Sequence, residues 1–216
     1  MNHIKTLAAC AALLLPTWAL GQIEQGGKPL HWGKPIPEKV VWKTFSALDI
    51  AQLEAEDKVT DTMKDAPWRF GIEHEVDFNL KNSGSWIEEH GLRVWRLGIH
   101  AEGATSLSFY LEEFQIPVGG ELFVYNSDRT NFKGAFNHLS MKDWGGLALS
   151  LMEGDAVILE YREPVGLNNP GQIAISQVVQ GYRSLLQREA ELDAAKSVAG
   201  PFGNSVPAIS THPGRV

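Results

Sequence analysis

The sequence holds a single cysteine, Cys10, among 216 residues. It falls in a stretch that reads as a leader, so the chain after it has neither a disulfide nor a thiol nucleophile. A cationic excess is also missing: Lys and Arg number 19 against 26 Asp and Glu, a formal charge of -7. Nucleic-acid binding by counterion release needs the opposite sign, and so does attraction to an anionic membrane surface. The longest uncharged apolar run, Leu7–Leu15, is shorter than the ~20 residues a membrane-spanning helix needs. The seven histidines (His3, His31, His74, His90, His100, His138, His212) include no His-x-x-x-His pair, the spacing that sets two ligands on one helix face. There is no Gly-x-Ser-x-Gly nucleophile elbow. These absences leave no metal, no cofactor and no catalytic residue to assign.

The N-terminus carries a positive charge at Lys5, then Leu7–Leu15, then Pro16 and Ala19-Leu20-Gly21. Basic start, apolar run and small residues at the end form a secretory signal peptide over residues 1–21, cut between Gly21 and Gln22. Leu7-Ala8-Ala9-Cys10 is a poor lipoprotein signal, because no hydrophobic region fits between Lys5 and Cys10. Removal of the leader takes Lys5 with it and leaves a charge of -8 from 18 basic and 26 acidic side chains. The expected destination is secretion, to the periplasm or outside the cell. No membrane contact is expected once the leader is gone.

Residues 22–66 form an extended Pro/Gly-rich segment and a short helix. Gly26-Gly27, Pro29, Pro35 and Pro37 oppose helix and central strands. Ser46 or Asp49 caps the helix, acidic residues crowd its first turns, and Pro67 ends it. Ile50, Leu53, Val59 and Met63 give it a thin apolar stripe.

From Trp68 the apolar period becomes two. Ile72, His74, Val76, Phe78 and Leu80 alternate with Glu73, Glu75, Asp77 and Asn79, the pattern of a half-buried strand. Further strands follow around Trp95–Ile99, Leu107–Leu111, Leu122–Tyr125, Phe132–Phe136, Leu147–Leu151, Val157–Tyr161 and Ile173–Val179, with Gly, Asn and Pro turns between them. With no helical pattern between strands, parallel βαβ packing is disfavoured. The expected fold is all-β: an antiparallel jelly-roll-like β-sandwich of about eight strands over residues 67–182, with flanking helices at its N- and C-terminal ends. Residues 183–199, rich in Ala, Glu and Gln, read as a helical linker. Residues 200–216 lack periodicity and read as a disordered tail.

Individual polar residues offer little chemistry. Ser205 sits in a tail without the rigid support a nucleophile requires. Neighbours on a strand point to opposite faces, so neither Glu73-His74-Glu75 nor Glu112-Glu113 converges on one point. Glu153 and Asp155 flank a turn glycine. Trp32, Trp42, Trp68, Trp86, Trp95 and Trp144 form the main aromatic set after the leader. Core packing is their expected role, with stacking on sugars or anchoring of an interface as the functional alternative.

The order Gly26-Gly27-Lys28-Pro29, Trp68-Arg69-Phe70-Gly71, Asn82-Ser83-Gly84, Trp95-Arg96-Leu97, Leu122–Asn126, Gly154–Tyr161 and Gly181-Tyr182-Arg183 resembles the N-terminal pro-region of secreted lysyl endopeptidase precursors, which are trypsin-like serine proteases. The resemblance spans residues 26–205 and reaches Phe202-Gly203-Asn204-Ser205, which is similar to the junction where the mature protease begins. Residues 206–216 do not resemble the Cys-containing segment beyond that junction, and the family's histidine, aspartate and serine motifs have no counterparts. The resemblance therefore implies a non-catalytic pro-region, truncated before its protease domain, that assists folding or maintains latency. Its partner would be the cognate trypsin-like protease domain, in cis or in trans. Candidate processing positions are Gly21 and Gln22 at the leader, Arg188 and Lys196 in the linker, and Phe202 and Gly203 at the junction. The alternative is a stand-alone secreted jelly-roll module that binds glycan or a cell-surface protein.

Overall fold

The computed structural model describes residues 26–63, 65–184, 188 and 193. Among the described residues the chain is mostly β: ten strands form two sheets, and there is no barrel. The strands are β1 (Val41–Phe45), β2 (Gly71–Asn79), β3 (Ser85–Glu89), β4 (Leu92–Ala101), β5 (Ser106–Gln115), β6 (Glu121–Asn126), β7 (Phe132–Phe136), β8 (Leu147–Glu153), β9 (Ala156–Pro164) and β10 (Gln172–Gly181). One helix, α1 (Ile50–Thr60), separates β1 from β2.

Sheet A runs β1-β4-β9-β6-β7, with β3 also paired to β4; sheet B runs β2-β10-β5-β8. β3 occupies the first half of β4's free edge (Trp86 opposite Trp95) and β1 the second half (Trp42 opposite Gly98). One hydrophobic cluster draws from both sheets, with Leu97, Ile99, Leu122, Leu159 and Tyr161 from A and Leu107, Phe109, Leu111, Ile173 and Val178 from B. Each fully buried side chain of this size contributes ~1.5–3 kcal/mol through loss of apolar surface to water.

Three expectations change. There are ten strands where the alternation predicts eight. β1 lies inside the segment read as merely extended, and β3 (Ser85-Trp86-Ile87-Glu88-Glu89) is too short to show alternation. Nor is the arrangement wholly antiparallel, because β1 pairs with β4 in parallel. An intervening strand in the other layer and a long connection from Phe45 to Leu92 make that direction accessible.

The third concerns α1. Asp49 is the cap, its carboxylate accepting from the Gln52 amide at 3.0 Å, but no acidic residue lies in the first turn. The apolar stripe does not hold the helix either: Ile50, Val59 and Met63 are exposed. The helix instead buries Asp57.

The phase break in the last strand also has a local cause. Ile173 and Ile175 point inward, and so does Val178, three residues on. A bulge between Ile175 and Gln177, where β10 pairs with both β2 and β5, adds the extra residue.

Candidate functional site

Three places concentrate chemistry, and each grows from strand register. The first lies on the outer face of sheet A. Register sets Arg96 opposite Glu160, and Glu160 opposite Phe123. Arg96 and Glu160 are fully buried, with Arg96 Nε donating to Glu160 at 2.7 Å. Glu160 also accepts from the Tyr125 hydroxyl at 3.0 Å and from the backbone amide of Leu30 at 2.6 Å. Arg96 forms a second ion pair with Glu38.

Residues 26–40 therefore act as a strap across this face. Trp32 meets Tyr125 and Phe132 edge-on, at centroid distances of 5.9 and 4.8 Å. Ile36 and Val40 pack on the cluster of Phe123, Tyr125, Ala135 and Ile158. His31 bonds Glu89 of β3 at 2.8 Å. A buried charge pair is costly unless its remaining donors and acceptors are satisfied. Here the strap supplies a backbone donor to Glu160 and a second carboxylate to Arg96, while Arg96 Nη2 stays buried without a hydrogen-bond partner.

The second place is a latch where the chain leaves the sheets. Tyr182 follows β10, and its hydroxyl donates to Asp57 of α1 at 2.5 Å. Arg69 Nε donates to the same carboxylate at 3.0 Å, and Arg183 approaches it at 3.4 Å. Arg183 also pairs with Asp61 at 2.8 Å, and this hydrogen bond holds the Asp61 carboxyl below the usual carboxylate range. Burial, followed by the bond to Asp57, pushes the Tyr182 phenol up. The Arg183 guanidinium lies over Trp68 at 4.5 Å and Arg188 at 5.5 Å. A cleft of about 310 Å³ lies here, lined by Asp57, Asp61, Trp68, Arg183 and Arg188 among others.

The third place is the outer face of sheet B. Its four strands contain no Lys or Arg, yet carry Glu73, Glu75, Asp77, Glu112, Glu113 and Glu153. Sheet A carries both signs, with Lys43, Arg93, Arg96, Lys133 and Arg162 beside Glu88, Glu89, Glu121, Glu160 and Glu163. Glu73, Glu75 and Asp77 alternate with the inward side chains of β2, so they share its outer face, and all three are exposed. Across β10 from them, Tyr110 of β5 stands 38% exposed.

Of the candidate processing residues, only Arg188 is described. It is half-buried and helical, its amide donating to the Ser184 carbonyl at 3.1 Å. Gly21, Gln22, Lys196, Phe202 and Gly203 lie outside the described residues, as do residues 1–21, Ser205, the tail and most of the linker.

The tryptophans divide. Trp95 is fully buried and donates to the Ser83 carbonyl at 2.7 Å; Trp86 packs on the core and donates to the Leu80 carbonyl at 2.8 Å. Trp42 and Trp144 are exposed, at 39% and 71%. His74 has a structural role, bonding Gln180 at 2.9 Å and lying against Phe45.

Sequence reasoning missed Asp57, Arg96, Glu160 and Glu163, four charged side chains that are almost wholly buried. The available signal was a lone charge inside an apolar strand: Glu160 within Val157–Tyr161, and Arg96 between Trp95 and Leu97. Among the described residues, no group of three or more His, Cys, Asp or Glu is disposed to hold a metal ion. No protein-family model matches the chain, and no solved structure matches it.

Proposed function

We propose that this chain is an exported, non-catalytic pro-region of a lysyl-endopeptidase-type serine protease, and that it binds its protease domain through the outer face of sheet B. The observation that carries the reading is the acidic composition of sheet B's strands, which hold no Lys or Arg. They offer a carboxylate row at the edge strand and an exposed Tyr110 near the middle. Four strands ~4.8 Å apart and up to ten residues long project ~600 Å². That is comparable with the ~800 Å² per partner of a standard interface. A cationic protein surface is the matching partner, and such complementarity speeds and orients docking. By binding the folded protease and not its unfolded chain, the pro-region shifts the folding equilibrium of its partner.

The strand connectivity supports a jelly-roll reading of the scaffold. The chain changes sheet at β1–β2, β2–β3, β4–β5, β5–β6, β7–β8, β8–β9 and β9–β10, and each sheet interleaves early strands with late ones. The latch supports the placement of the processing region beyond it. Tyr182 and Arg183 fix where the chain leaves the sheets, so cleavage after that point, with Arg188 and Lys196 the basic candidates, leaves the folded domain whole.

The test adds the full chain, in trans, to a denatured lysyl-endopeptidase-type catalytic domain and follows recovered amidolytic activity. The expected result is an altered refolding yield or inhibition of the native enzyme. That effect should fall with added salt and with the triple reversal Glu73→Lys, Glu75→Lys, Asp77→Lys. No effect of the wild-type chain on yield or activity overturns the reading.

A further inference from the structure

A second mode of binding lies at the rim of sheet B, in the backbone of β2. β2 is an edge strand whose one neighbour is β10. In an antiparallel pair, alternate residues turn both backbone groups toward the neighbour, and those between turn theirs away. Two observations fix the phase. The Phe70 carbonyl accepts from the Tyr182 amide at 2.9 Å, continuing the β2–β10 register, so the even-numbered residues bond β10. At the far end the Asn82 side chain takes up outward groups: its Nδ2 donates to the Asp77 carbonyl at 3.1 Å, and its Oδ1 accepts from the Asn79 amide at 2.9 Å. Gly71, Glu73 and Glu75 therefore turn their amides and carbonyls to the free edge, where no group among the described residues bonds them.

The side chains along this edge add selection. Glu73, Glu75 and Asp77 are exposed on the outer face, and neither Glu73 nor Glu75 has an ion-pair or hydrogen-bond partner among the described residues. The inward row, Ile72, His74, Val76 and Phe78, is only half-buried. Lys43 of β1 lies over the Phe78 ring at 5.4 Å, on that inward side and away from the carboxylates. At the start of the strand lies a cleft of about 580 Å³, walled by Pro67, Trp68, Phe70, Ile72 and Val179 and bordered by Gly71 and Glu73. Gly71 has no side chain to fill it. Arg69 also lines the cleft, but its charge is met by Glu56 at 3.0 Å and Asp57 at 2.9 Å.

We propose that the free edge of β2 takes up an extended cationic segment of a partner protein as an added strand. The inference deepens the reading of sheet B as a docking surface, and rests on it in taking the protease domain as the source of that segment. Run antiparallel to β2, the segment sets its residues i, i+2 and i+4 directly opposite Glu75, Glu73 and Gly71. Lys or Arg at the first two positions meets the carboxylates, and an apolar residue at the third enters the cleft. In strand addition of this kind main-chain hydrogen bonds supply affinity, and alternate side chains supply selection. The same row disfavours a second copy of this chain, because β2 paired with β2 sets carboxylate against carboxylate.

The test titrates the isotope-labelled full chain, at low salt, with the acetylated and amidated peptide Lys-Val-Lys-Val-Leu. The expected result is saturable binding with a Kd at or below about 1 mM, together with slowed amide exchange at Gly71, Glu73 and Glu75. N-methylation of the two lysines and the leucine removes the donors that face β2 and should abolish binding. Glu-Val-Glu-Val-Leu should not bind, and Glu73→Gln combined with Glu75→Gln should weaken the cationic peptide ~3–10-fold, as the loss of two cross-strand ion pairs implies. The inference is overturned if the cationic peptide does not saturate, if its N-methylated or its acidic form binds as well, or if those three amides are already protected in the free chain through self-association. Refolding of the protease domain is a separate readout. Strand addition without an effect on refolding removes only the protease as the source of the segment, and an effect on refolding without strand addition removes this inference.

Discussion

Asp57→Ala tests whether the latch at the chain exit holds α1 to the sheets. The Asp57 side chain is 5% exposed and accepts from the Tyr182 hydroxyl at 2.5 Å and from Arg69 at 3.0 Å. Its removal leaves the Tyr182 hydroxyl, in a residue 8% exposed, without that acceptor, which costs ~1–3 kcal/mol. Removing one partner of a fully buried ion pair costs ~3–5 kcal/mol. Arg69 is only partly buried and keeps Glu56 at 3.0 Å, so its share falls well below that range. The combined loss is about 3 kcal/mol, or a fall in Tm of about 6–12 °C for a domain of this size.

The matched control is Asp61→Ala. Asp61 also pairs with Arg183 but is 31% exposed, and such a pair is worth ~0.5 kcal/mol, or a fall of ~1–2 °C. Thermal unfolding followed by far-UV circular dichroism measures both variants. A double-mutant cycle with Tyr182→Phe isolates the hydroxyl–carboxylate coupling. Equal losses for Asp57→Ala and Asp61→Ala, or a cycle with no coupling, would refute the assignment of α1's anchoring to the buried carboxylate.

Three further outcomes concern the titratable side chains. Glu160→Ala strands Arg96 and removes the acceptor of the Leu30 amide, so stability falls by ~3–5 kcal/mol and Leu30 exchanges its amide hydrogen faster than the core strands; unchanged Leu30 protection would show that the strap is held elsewhere. Burial, aided by Glu160, Glu163 and Asp57 respectively, raises the phenols of Tyr125, Tyr161 and Tyr182 above their ordinary value. The stability tied to these raised values is present below pH ~10 and lost as pH rises beyond it, so their phenolate absorbance at 295 nm should appear together with loss of circular dichroism, and reversible ionisation of all four tyrosines in the folded protein would contradict this. The lowered Asp61 carboxyl behaves in the opposite sense, contributing above the ordinary carboxylate value of ~3.9 and losing that contribution as pH falls below it. Trp68 fluorescence should report that acid transition in the wild type, and Asp61→Ala should remove it.

Much of the scaffold was legible in the chain itself. Alternation from Ile72 to Leu80 marks β2, and Phe132–Phe136 was bounded as a strand by its turns alone. Asp49 stood as one of two candidate caps. These are local signals: the side-chain period reports which face is buried, and turn residues report where the chain reverses. β3 escaped because five residues with two terminal glutamates carry no period. β1 escaped because proline-rich flanks hid a strand whose stabilising partner, β4, begins 47 residues beyond its end.

The candidate sites were less legible, because they depend on pairings the local pattern does not encode. Arg96 and Glu160 are 64 residues apart, and Asp57 and Tyr182 are 125 apart. In sequence each is only a charged or aromatic residue near apolar neighbours. Register turns Arg96 and Glu160 into a buried pair, and the packing of α1 against the end of β10 turns Asp57 and Tyr182 into a latch. Likewise, β2 offers a free edge only because β10 is its one neighbour. Local patterning was enough to specify the β class, the positions of the main turns and the acidic balance, since these follow from side-chain period, backbone preference and charge count. Which strands became neighbours, in which direction and in what register, emerged only when the chain folded, because a charge can stay buried only where residues distant in the chain satisfy it.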